Sequence, residues 1–120
     1  MKGLGNDIIE IDRIREGFEQ HKEQFLNRLF TPKEQDYCQT QSDPFPRFAG
    51  RFAAKEAIVK SLGCGFGAEA SWHDIEILSD ASGKPIVHLS DAIQQRFSNP
   101  QILLSISHCK TYATAVAIWL

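Results

Sequence analysis

From Pro44 to Gly63 the chain reads PFPRFAGRFAAKEAIVKSLG. Phe45, Phe48, Phe52, Val59 and Leu62 recur at helical spacing and mark one apolar face. At about 100° per residue, Glu56 falls within roughly 40° of Phe52, near the middle of that face. Glutamate is rarely buried without a partner. The spacing therefore predicts a cation beside Glu56, either a basic side chain or a metal ion. Asp7 repeats the anomaly. In GLGNDIIEI, alternation places Leu4, Ile8 and Glu10 on one strand face and Gly5, Asp7, Ile9 and Ile11 on the other. Two inward carboxylates leave two readings. Each is held separately by a base, with Arg47, Arg51 and Lys55 near in sequence, or the two share a hard cation. Mg2+ accepts one or two carboxylates, keeps waters and takes phosphate oxygens from a substrate. No third acidic ligand is evident, so the shared-cation reading points to phosphoryl-type chemistry.

Lys60 lies one turn beyond Glu56. It makes either an i,i+4 pair with Glu56 or a phosphate contact beside a metal. Gly63, Gly65 and Gly67 follow a helix instead of opening one, so a helix C-terminus faces them. That order excludes a P-loop and leaves a close backbone approach to a ligand. Ser105-x-Ser107-His108 lacks a nucleophile elbow. His108 is then a turn histidine, or a donor to a phosphate group. Arg13, Arg15 and Lys22 alternate with acids on one helix, as a solvated face or a dock for an acidic partner.

These residues need elements to position them. The strand from Gly3 ends at Ile11, and Asp12 is placed to cap a helix to about Gln20. Phe25 to Phe30 suggests a short apolar helix. Thr31-Pro32-Lys33-Glu34 is a capping box with proline at the first helical position. That helix ends near Cys38, with a loop to Pro46. The long helix spans about Pro44 to Leu62. Trp72–Leu78 and Ile86–Leu89 read as strands about the Asp80–Pro85 turn, and Ser90 caps a helix over Ala92–Phe97. Ile102–Ser107 and Tyr112–Trp119 flank a turn at His108–Thr111. The expected class is α+β: one small domain over residues 1–120, with an antiparallel sheet packed with one long helix and several short ones.

The 120 residues carry a net charge of −2, which argues against a protein that coats nucleic acid. The acidic N-terminal stretch does not suit a signal peptide, and no apolar run approaches a membrane span. Cys38, Cys64 and Cys109 are scattered and odd in number, which suits a reducing cytoplasm. A chain this short buries a modest core, so oligomerisation would help it.

Four segments carry a resemblance: GLGNDIIEIDRI, AGRFAAKEAIVKSLGCGFG, WHDIEILSDASGKPIV and LLSISHCKTYATAVAI. In this order they resemble the short bacterial holo-acyl-carrier-protein synthases of the 4'-phosphopantetheinyl transferase superfamily. The sharpest motifs are D-I-x-E at Asp7 and the F-A-x-K-E-A-x-x-K helix. The resemblance implies that fold, and transfer of 4'-phosphopantetheine from coenzyme A to a serine of apo-acyl carrier protein. It assigns Mg2+ to Asp7 and Glu56, with Asp7, Glu56 and Lys60 catalytic and Lys60 beside the pyrophosphate. Gly63 and the Gly83-Lys84-Pro85 turn match segments lining the coenzyme A site. His108 matches a histidine near the nucleotide phosphates, and Arg13 an arginine that meets the carrier protein. The family forms homotrimers with active sites between subunits. Cys64 and Cys109 depart from its usual hydroxyl residues, and a thiol is the weaker donor. A non-catalytic module binding coenzyme A or a carrier protein is the alternative. A metal-dependent phosphohydrolase is a third reading.

Overall fold

In a computed structural model describing residues 1–120, the chain opens with β1 (Gly3–Glu10). Four helices follow: α1 (Ile11–His21), α2 (Glu23–Leu29), α3 (Pro32–Gln39) and α4 (Phe45–Ser61). The second half runs β2 (Ile75–Ser79), β3 (Pro85–Leu89), α5 (Asp91–Arg96), β4 (Ile102–His108) and β5 (Tyr112–Trp119). β1, β5 and β4 pair antiparallel in that order, and β2–β3 is a separate antiparallel hairpin. The α+β class and the antiparallel pairing agree with the sequence, but the strands divide between two sheets.

Local chemistry sets most boundaries. Thr31 Oγ1 accepts from the Glu34 N–H, while the Glu34 carboxylate accepts from the Thr31 N–H at 2.8 Å, closing a capping box behind Pro32. Ser90 caps α5 by accepting from the Ile93 N–H. α4 ends in a Schellman turn. The Cys64 N–H donates to the Val59 carbonyl and the Gly63 N–H to that of Lys60, both at 3.0 Å. Gly63 sits at φ +78°, a left-handed conformation that favours glycine.

Some boundaries differ from expectation, and His108 closes β4 opposite Ala113 instead of opening the turn. Glu10, not Asp12, holds the cap position of α1 and makes no side-chain cap bond. Asp12 instead lies in the first turn, 3.5 Å from Arg15. Trp72–Asp74 forms a 3-10 turn, because Asp74 accepts from the Ser71 N–H, so β2 begins only at Ile75.

α4 crosses β1 and β5 at close range. Ala53, Ala54 and Ala57 of α4 and Ala113, Ala115 and Ala117 of β5 are all buried, and such small side chains let backbones approach. A Cβ at Gly5 would overlap the Ala57 carbonyl oxygen, so β1 runs directly against the helix. The buried stripe of α4 therefore passes through Phe48, Ala53, Ala57 and Ile58. Phe45 and Phe52 sit at its margin, and Glu56 beside them is half-buried instead of central.

The fully buried charge of α4 is Lys55, not Glu56. Lys55 Nζ lies 2.7 Å from Glu34 Oε1, and both side chains are 0% exposed. Lys55 also donates to the carbonyls of Leu29 at 2.8 Å and Trp72 at 3.0 Å. Glu34 Oε2 accepts from the Ile77 N–H at 2.7 Å. One ion pair thus ties α2, α3, α4 and β2 together.

Candidate active site

Asp7 projects from the α4-facing side of β1, opposite Ala115 in register. It shares a cleft of about 360 Å³ with Glu56, walled by Ile9, Phe52 and Phe25 and edged by Arg13. Lys60 Nζ donates to Asp7 Oδ1 and to the Asn6 carbonyl, each at 3.0 Å. The spacing on α4 left open a Glu56–Lys60 pair, yet the ammonium is bonded to Asp7 because β1 passes so near the helix. Glu56 consequently has no basic side chain as its partner, which leaves the metal ion of the two cations expected beside it. Burial pushes its carboxyl above the ordinary range; the negative Asp7 adds to that, and Lys60 offsets part of it. Neither Arg51 nor Lys55 holds either acid. Lys55 binds Glu34, and Arg51 donates to the Ile77 carbonyl at 3.0 Å and to Ser79 Oγ at 3.1 Å.

A second cleft of about 200 Å³ opens on the β4 side. Arg47, Arg51, Ser107 and His108 line it, with Gly83 and Pro85 at its mouth. The Arg51 guanidinium is buried and lies 4.5 Å from the centre of the Tyr37 ring. Two guanidinium groups with a serine and a histidine in one small concavity suit a multiply charged anion. Lys84 is placed by its turn, where Asp80 Oδ1 accepts from the N–H groups of Ser82 and Lys84, both at 2.9 Å. Arg47 and Arg51 were not singled out as ligand residues from the sequence. The available signal was their i,i+4 spacing on α4, which puts two guanidinium groups on one helix face.

The structure thus divides the sequence-selected residues. Asp7, Glu56 and Lys60 meet at the β1 edge, with exposed Gly63 one residue group beyond Lys60 at the end of α4. His108 and the Gly83–Pro85 turn lie at the β4 edge, with β5 between. The loop after α4 is anchored by stacking: Phe66 lies 3.8 Å from Trp72, which lies 5.0 Å from Phe52. On α1, Arg15 is occupied by Asp43 at 3.2 Å, whereas Arg13 is exposed and makes no ion pair. No three His, Cys, Asp or Glu side chains converge, so any cation between Asp7 and Glu56 has two protein carboxylates and takes its other ligands from solvent or substrate.

Residues 3–117 match the sequence model of the 4'-phosphopantetheinyl transferase superfamily. The chain is 55% identical over 117 residues to a holo-[acyl-carrier-protein] synthase of Protochlamydia amoebophila, covering 98% of this chain and 96% of that one. It is 49% identical to the Chlamydia caviae holo-[acyl-carrier-protein] synthase, over 98% of this chain and 95% of the relative. The Helicobacter pylori holo-[acyl-carrier-protein] synthase, solved in complex with coenzyme A, superposes with a TM-score of 0.89 at 35% identity, covering 98% and 99% of the two chains. The Neisseria meningitidis enzyme superposes at 0.91 and 29% identity, covering 100% and 98%. With a family match over nearly its whole length, the chain belongs to the 4'-phosphopantetheinyl transferase superfamily.

Proposed function

We propose that this protein is a holo-[acyl-carrier-protein] synthase, which transfers 4'-phosphopantetheine from coenzyme A to a serine of apo-acyl carrier protein. The observation that carries the reading is the pair of unlike clefts. One holds Asp7 and Glu56, with Lys60 bonded to Asp7, and the other gathers Arg47, Arg51 and His108. A pyrophosphate ester of a phosphorylated nucleotide needs both kinds of contact.

In the reaction the serine Oγ attacks the β-phosphorus of coenzyme A as its proton passes to a water or to one of the carboxylates of Asp7 and Glu56. The bond from that phosphorus to the bridging oxygen breaks, and adenosine 3',5'-bisphosphate leaves. Lys60 Nζ, half-exposed on a flexible stem, can reach the phosphate oxygens and offset charge developing on the leaving group. Arg47, Arg51 and His108 bind the nucleotide's anionic groups and orient the pyrophosphate. Gly63 and the Gly83-Lys84-Pro85 turn bring backbone and the Lys84 ammonium to the same substrate. Arg13, uncommitted on α1, meets the acidic carrier protein. The two carboxylates, Asp7 and Glu56, fit Mg2+ by donor type: hard oxygens, too few for a closed site. When bound there, Mg2+ would supply Lewis-acid stabilisation of the phosphoryl oxygens.

The two clefts lie on opposite edges of one sheet, which supports a homotrimer whose active sites form between subunits. The outer sheet face supports it too: Leu4, Ile8, Leu103 and Val116 are exposed and share that face. No helix is long and apolar enough to cross a membrane, and all three cysteines are free, in keeping with a cytoplasmic enzyme.

Incubation with apo-acyl carrier protein, coenzyme A and Mg2+, followed by mass spectrometry of the carrier, tests the proposal. A phosphopantetheine-sized gain that chelator abolishes is the expected result. Coenzyme A binding with no gain would favour a binding module. Coenzyme A cleavage without carrier would favour a hydrolase.

A further inference from the structure

Lys60 sits on a residue assigned to the metal. Its Nζ is bonded at once to Asp7 Oδ1 and the Asn6 carbonyl, both on β1, while Glu56 four residues earlier on its own helix has no partner. The pair is asymmetric in access: the Asp7 side chain is 16% exposed and Lys60 is 51% exposed. An ammonium on a four-carbon stem is a mobile point charge, free to follow a stronger acceptor. A diphosphate offers one.

We propose that Lys60 is the resident counter-ion of Asp7 before substrate arrives, and that binding of the coenzyme A diphosphate draws it off, so that metal and coenzyme A enter together. The ammonium and a divalent cation compete for the same carboxylate. A partly exposed pair of this kind resists displacement by about two- to fivefold. The inference rests on the metal reading above and concerns order of binding.

The test uses Mn2+ as the probe, followed by the loss of its free-ion EPR signal on titration with the purified protein. Without coenzyme A, Lys60→Met is expected to bind Mn2+ about fivefold more tightly than wild type. The enhancement of Mn2+ binding by coenzyme A is expected to be smaller in Lys60→Met than in wild type. Arg13→Met removes one positive charge at the cleft of Asp7 and Glu56 while keeping the Lys60–Asp7 bond, and is expected to gain less than twofold. Equal affinities in wild type and Lys60→Met overturn the proposal. So does an equal gain in Arg13→Met, which would mean only long-range repulsion. A separate arm adds Asp7→Asn or Glu56→Gln to Lys60→Met. If neither weakens Mn2+ binding, the carboxylate metal site itself is refuted, whatever the order of entry.

Discussion

Replacing Lys55 with methionine removes the one ammonium that is fully buried in this fold. Three bonds go with it, to Glu34, to the Leu29 carbonyl and to the Trp72 carbonyl. Glu34 then remains as a buried carboxylate facing only the N–H groups of Thr31 and Ile77. Breaking a buried pair from one side costs about 3–5 kcal/mol. The two retained donors place the expected loss near the lower end, about 3 kcal/mol. Against a typical total of about 5–15 kcal/mol, that is a large share. Urea unfolding of wild type and Lys55→Met at neutral pH and one fixed protein concentration measures the loss. A loss below about 1 kcal/mol, within the range of an exposed pair, would refute the claim that this pair clamps four elements.

Glu56→Gln is expected to abolish carrier modification while making the metal-free fold more stable. Burial and Asp7 raise the Glu56 carboxyl, so its ionised form costs stability as pH rises through that folded value; in chelator, urea melts should favour the variant at pH 8 and not at pH 4. Arg51→Met should weaken adenosine 3',5'-bisphosphate binding by about ten- to a hundredfold, as for a lost charged hydrogen bond, read by calorimetry, with KM rising more than kcat falls. Gly5→Ala forces a methyl against the Ala57 carbonyl and should cost about 1–3 kcal/mol in chemical denaturation. Iodoacetamide should alkylate Cys109 at the lowest pH, since N–H groups of Thr111 and Tyr112 lower that exposed thiol. Cys64, raised by burial, should follow, and Cys38, buried and pushed up to about 12, should react only on unfolding. Mass spectrometry of tryptic peptides across a pH series reads that order.

The elements were legible where a local rule decides. The Thr31–Glu34 box, the Ser90 cap and the glycine stop after α4 depend on residues a few positions apart. Alternation likewise placed Asp7 on the α4-facing side of β1. What the sequence hid is which face of α4 is deepest. Phenylalanine spacing pointed to the Phe52 side, but alanines opposite alanines drew the helix onto β5 and left Phe52 at the margin. That shift moved Glu56 outward and turned its neighbour Lys55 inward. The partner Glu34 lies 21 residues earlier, across a turn and another helix, where no periodicity connects them. The Asp7–Lys60 bond was hidden for the same reason: it depends on the distance from β1 to α4, which Gly5 and Ala57 set together.

The same alanine packing bears on assembly. A helix laid tightly on small side chains makes a thin core, and the sheet also carries large apolar residues on its other face. In register, Leu4 of β1, Ile118 of β5 and Leu103 of β4 form one row there, with Val116 and Ile8 beside it. Leu4 is 60% exposed and Ile8 66%, which is unusual for large aliphatic residues on strands of a sheet. The carboxylate cleft and the cationic cleft open at the two edges of this same sheet. Ile8 belongs both to that face and to the lining of the carboxylate cleft, so in the proposed trimer a copy that covers the face also borders the site. Stability and activity would then fall together on dilution, whereas a monomer with a self-sufficient site would keep its activity per chain.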